Sequence, residues 1–131
     1  MAKELKRVEI VSVDTETVEK DDAFPKAYAF YIKLSGDPEH MWQRYFEDEW
    51  EHAFYTMKRE IRVVGDKLRL VFGEGENIQS YVKFARQLVE RTNERIARHN
   101  QQMELEEKRE LVKQEEIEKK KEEIRKKLRE L

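Results

Sequence analysis

The sequence predicts an α+β fold, with a small antiparallel sheet in β-β-α-β-β-α order. A very long C-terminal helix is expected to extend beyond this globular head as a coiled coil or a solvated rod. Three observations predict this. Residues 27–34 and 59–72 alternate apolar and polar side chains in the manner of half-buried strands. Between them Trp42, Tyr45, Phe46, Trp50, Ala53, Phe54 and Met57 step by three and four, which makes one buried helical stripe. From Asn77 to Leu131 there is no Gly and no Pro, and Val82, Val89, Ile96, Met103, Ile117, Ile124 and Leu131 recur at seven-residue intervals, with Glu110 alone out of place. A helix of that length spans roughly 80 Å at about 1.5 Å per residue, more than a compact domain of this size can cover.

The elements follow in order. Residues 5–14 are rich in β-branched side chains, with Val8 and Ile10 on one face and Val11 and Val13 on the other, as in a strand covered on both sides. Asp14 to Lys26 is polar and acidic and reads as a long loop ending near Pro25. In the second strand Tyr28, Phe30, Ile32 and Leu34 share a face, opposite Ala27, Ala29, Tyr31 and Lys33. Ser35-Gly36-Asp37-Pro38 predicts a helix start with Asp37 as N-cap and Pro38 at the first helical position, running to about Met57. Gly65-Asp66 joins residues 59–64 and 67–72 as a hairpin, with Ile61, Val63, Leu68 and Leu70 on one side and Arg62 and Arg69 on the other. Asn77 follows Gly73-Glu74-Gly75-Glu76 as the cap of the last helix.

That helix divides near Met103. Before it, Ile78, Val82, Ala85, Val89, Thr92, Ile96, His99 and Met103 step four and three throughout, and Tyr81, Phe84 and Leu88 widen the stripe. After it, the companion column becomes Glu106, Lys113, Lys120 and Lys127, so a single apolar column remains among ten acids and ten bases. Glu104→Lys108, Glu115→Lys119 and Glu122→Lys126 have the spacing of helix-stabilising pairs. The expected organisation is therefore a head of residues 1–103, including the first half of the helix, and a charged extension of residues 104–131.

Composition excludes several classes. Without Cys there is no disulfide, thiol nucleophile or cysteine zinc site. No apolar run approaches the ~20 residues of a membrane span, and the first residues lack a signal peptide's pattern, so a soluble cytoplasmic protein without a membrane partner is expected. The net charge of −2 argues against a general polyanion binder, but residues 77–103 carry +3.

Three constellations bear on chemistry. Val13-Asp14-Thr15-Glu16-Thr17 resembles the first motif of the DnaQ-like (DEDD) 3′–5′ exonucleases over about eight residues, and the resemblance implies that Asp14 and Glu16 are ligands of catalytic metal ions. The later motifs of that family need further Asp residues, and no Asp follows Asp66. Asp48 and His52 stand four apart on the first helix, a spacing at which two side chains can share a metal ion, but a His-Glu-x-x-His motif is absent and the ordinary reading is the solvated face of an amphipathic helix. Arg91, Arg95 and Arg98 form a basic row on the long helix, and Arg62 and Arg69 pair on the hairpin, so together they offer guanidinium groups for a nucleic-acid backbone. No nucleophile elbow, triad or phosphate-cradling glycine loop is present.

The function expected is thus a non-enzymatic interaction or oligomerisation module without a cofactor. It would bind a protein partner, most simply a second copy as a dimer, through the column Val82, Val89, Ile96, Met103, Ile117, Ile124 and Leu131. The alternatives are an accessory nucleic-acid-binding protein using the arginines and a small metal-dependent nuclease using Asp14 and Glu16.

Overall fold

The computed structural model describes residues 4–55 and 58–131. Its elements are β1 (Ile10–Lys20), β2 (Ala27–Leu34), α1 (His40–His52), β3 (Ile61–Val64), β4 (Lys67–Gly73) and α2 (Ile78–Arg129), the α+β order expected. All pairings are antiparallel, and the four strands lie in the order β1-β2-β4-β3. By its own contacts the chain separates into Leu5–Ala97 and a second unit that contains Arg98–Leu131.

In the first unit one face of the sheet meets both helices. Phe30, Ile32, Leu34, Ile61, Leu68 and Leu70 from the sheet share a core with Trp42 and Phe46 of α1 and with Tyr81, Phe84, Ala85, Leu88, Val89 and Ile96 of α2. The alternation of β2 sets this up directly, since Phe30 pairs with Leu70 and Ile32 with Leu68. Ile61 and Val63 lie opposite Leu70 and Leu68 in the hairpin, as their spacing requires. The turn between β3 and β4 has a positive φ of 59° at Gly65 and none at Asp66, the pattern of a type II′ turn. Asn77 caps α2, its Oδ1 accepting the Ser80 N–H at 3.1 Å.

Both ends of β1 and both ends of α1 differ from expectation. The ladder of β1 begins at Ile10 and runs to Lys20, so residues 5–9 are not strand and much of the expected loop is. Val8 is buried, and its backbone N–H and C=O are held by the side chain of Asn93. The strand is also irregular. Its register slips between Ile10 and Ser12 and again between Val13 and Val18, where five steps along β1 answer two along β2. The first slip turns Val13 to the same side as Ile10, which explains why apolar residues stood on both faces of a regular alternation.

Helix α1 starts at His40. Glu39 takes the N-cap place with extended backbone and no side-chain cap, and its carboxylate instead accepts the Lys6 N–H at 2.7 Å. Asp37 and Pro38 therefore precede the helix, with the proline ring buried. The helix ends at His52, where the Lys58 ammonium donates to the carbonyls of Trp50 and Glu51 at 2.7 and 3.0 Å and lies over the Trp50 ring. This early stop leaves Phe54, expected in the buried stripe, fully exposed. Met57 lies outside the described residues.

Candidate interaction surface

Every residue from Glu104 onward is exposed. Helical geometry follows from composition here: no Gly or Pro interrupts α2, and ion pairs lace its surface. Glu104 pairs with Lys108 at 3.3 Å as expected. The expected Glu115–Lys119 and Glu122–Lys126 pairs are not among the ion pairs of the described residues; Glu115 has none there, while Glu118 and Glu122 take partners three residues on. Glu118 takes Lys121 at 3.3 Å and Glu122 takes Arg125 at 3.2 Å. All of these side chains are solvated, so each pair adds little and helix stability is spread thinly. Against this charged surface Ile117, Ile124 and Leu128 are about half exposed and Leu131 fully so. Seven-residue steps and the (i, i+4) step from Ile124 to Leu128 place the four on one side of the helix.

The remaining members of the expected partner column have other positions. Val89 and Ile96 are buried in the core of the first unit, and Val82 packs partly buried against it. The seven-residue repeat in the first half of α2 is therefore a core-facing stripe, so these three residues are not available as a seam. Met103 is partly exposed.

The basic residues are similarly divided. Arg95 is tied to α1 by an ion pair to Asp48 at 2.6 Å and lies over the Tyr45 ring at 4.4 Å. Its hydrogen bond holds the Asp48 carboxyl below the ordinary range. Arg69 is buried on the outer face of the sheet, paired with Asp21 at 2.8 Å and Glu19 at 3.4 Å. Both guanidiniums are already neutralised by carboxylates and are poorly placed to meet a phosphate backbone. Arg62 is exposed beside Glu60 at 3.4 Å, and Arg91 and Arg98 are exposed with no ion pair among the described residues.

Asp14 and Glu16 fall in the second slip of β1. There the Asp14 carboxylate accepts the backbone N–H groups of Glu16 and Thr17 at 2.9 and 3.2 Å, which lowers its pKa. Once residues 14–17 leave the ladder, the alternation that put both carboxylates on one face no longer applies. Among the described residues the one trio of ligand-type side chains within 4.8 Å of one another is Asp48, Glu51 and His52. Here Arg95 engages the Asp48 Oδ2, and the His52 Nδ1 lies 2.9 Å from the Asp48 carbonyl oxygen, so the trio is held by contacts within the protein.

Sequence reasoning passed over Asn93, the polar centre of the head. Its Oδ1 accepts the Val8 N–H at 3.1 Å and the Trp42 Nε1–H at 2.9 Å, and its Nδ2 donates to the Val8 carbonyl at 2.8 Å. A signal was present, because Asn93 falls between Val89 and Ile96 on the buried stripe. No described helix is long and apolar enough to cross a membrane. No family model matches the chain, and no curated protein or solved structure shows significant similarity to it.

Proposed function

We propose that this protein is a non-enzymatic interaction module in which the helical extension of residues 104–131 docks against a helix of a protein partner. The observation that carries the reading is the stripe of Ile117, Ile124, Leu128 and Leu131, large aliphatic side chains held in water on one side of a highly charged helix whose other exposed aliphatics, Leu105, Leu111 and Val112, lie off that line. Such a helix gains no stability from a core, and covering each aliphatic side chain would contribute roughly 1.5–3 kcal/mol. We place the functional division near Met103, where the companion apolar column ends in the sequence. The basic-face alternative is weaker because three of its five arginines are in ion pairs, Arg69 and Arg95 on the folded head and Arg62 more loosely with Glu60 at 3.4 Å.

Sedimentation equilibrium tests the reading, on the full chain alone and mixed with synthetic four-heptad helical peptides of different charge pattern. A complex that is lost in the Ile117→Lys/Ile124→Lys variant supports it. A chain that remains monomeric and free in every mixture refutes it.

A further inference from the structure

The charges framing the aliphatic stripe restrict what can lie against it, an argument that rests on the helix-docking reading above. With Ile117, Ile124 and Leu131 as one seam column, the companion seam column is Lys113, Lys120 and Lys127. Immediately before the aliphatics stand Glu116, Glu123 and Glu130, on the flank of the same seam. Lys113 and Lys127 have no ion pair among the described residues, and Lys120 reaches Glu123 only at 3.9 Å.

A second copy fits this frame badly in either orientation. Paired in parallel and in register, each seam lysine meets its own counterpart, which sets like charges in the middle of the interface. In an antiparallel pair the flanking column faces itself, so the three glutamates oppose one another. An anionic membrane surface would attract the lysines but repel the glutamates beside Ile117, Ile124 and Leu131, and the stripe carries no aromatic anchor.

We propose that the occupant is an amphipathic helix of a different chain. It carries one aliphatic column to cover Ile117, Ile124 and Leu131 and acidic side chains in the adjoining column to meet Lys113, Lys120 and Lys127. The dimer expected from the heptad alone is thereby replaced by a heterotypic pair. Partner carboxylates supply counter-charge to Lys113 and Lys127, which have no ion pair among the described residues, and a closer one than Glu123 to Lys120, while partner basic residues on the flank meet Glu116, Glu123 and Glu130.

Fluorescence anisotropy with the full chain tests this, using two labelled four-heptad peptides. One has Leu in one seam column, Glu in the other and Lys on the flank; in its twin the Glu and Lys positions are exchanged. The expected result is binding of the acidic-seam peptide at least about tenfold tighter than its twin at low salt, with the preference shrinking as salt screens it. The triple variant Lys113→Glu/Lys120→Glu/Lys127→Glu should reverse the preference, with circular dichroism reporting its helix content. If the variant loses its helix, the wild-type ranking of the two peptides and its salt dependence still decide the matter. Equal binding of the two peptides overturns the acidic-partner assignment and leaves helix docking standing, as does a dimer of the chain alone that Ile117→Lys/Ile124→Lys abolishes. Binding to phosphatidylserine vesicles in preference to both peptides overturns it in favour of a membrane surface. A monomer that binds neither peptide nor vesicle overturns both the assignment and the docking reading.

Discussion

Replacing Asn93 with Ala removes three hydrogen bonds at once and leaves the Val8 N–H, the Val8 C=O and the Trp42 Nε1–H without partners. All three groups belong to residues at most 4% exposed, so bulk water cannot replace the lost amide. An orphaned buried polar group costs about 1–3 kcal/mol. Three groups around one vacated site can share an entering water, which puts the expected loss at about 3–6 kcal/mol. That is a large part of the roughly 5–15 kcal/mol of a typical domain. Urea unfolding of wild type and variant, followed by tryptophan fluorescence, gives the difference directly. Trp42→Phe removes the indole donor together with part of a buried, stacked ring, and a double-mutant cycle with Asn93→Ala, which isolates the pair from that packing loss, should show coupling of about 1 kcal/mol. Asn93→Asp adds a test of sign. Its second oxygen would face the Val8 carbonyl, so burial and that contact raise the folded pKa above the unfolded value of about 3.9. The stability gap to wild type should then be smallest in acid and widen as pH rises from the unfolded toward the folded pKa. A loss below about 1 kcal/mol for Asn93→Ala, with additive behaviour toward Trp42→Phe, would refute the assignment of Asn93 as the polar hub.

Two further outcomes are expected. The His52 pKa is raised by its contact with the Asp48 carbonyl oxygen and by the Asp48 carboxylate at 3.2 Å, so its contribution to stability is full below the unfolded value of about 6.5 and is lost as pH rises through the folded one. An NMR titration should place its midpoint above the ordinary range and move it down in Asp48→Asn, and an unmoved midpoint would show that the carboxylate plays no part. Gly65→Ala should cost about 1–2 kcal/mol in urea unfolding, because a Cβ there finds only an ordinary contact at 3.8 Å while the positive φ strains any L side chain. An unchanged midpoint would mean that the turn relaxes to another type.

The elements that read clearly were those in which one physical signal acted alone. In β2 the alternation is uninterrupted, in the β3–β4 turn Gly65 supplies the positive φ, and at α2 Asn77 caps a run without breakers. The parts that resisted reading are those in which tertiary contacts override local pattern. Two register slips in β1 scramble its alternation, and Asn93 holds Val8 from a distance of 85 residues in the chain. Lys58 ends α1 before Phe54, a cap supplied from beyond the helix that no local motif marks. In the candidate surface, the seven-residue period alone did not separate Val89 and Ile96, which fill the core, from Ile117 and Ile124, which face water; the loss of the companion apolar column after Met103 was the signal that did. The lysine column beside them was visible in the sequence. Its meaning depended on those aliphatic residues being uncovered.

The slips in β1 bear on aggregation as well as on register. A sheet with two open edges offers rows of unpaired backbone groups on which foreign strands can stack. Here one edge, β1, exposes Val11 and Val18 but is kinked out of the ladder at residues 14–17, and the other, β3, is four residues long. Neither gives an incoming strand a long, flat template. Restoring a regular β1 by deleting part of that irregular segment would lengthen the straight edge and favour amyloid-type stacking of the head.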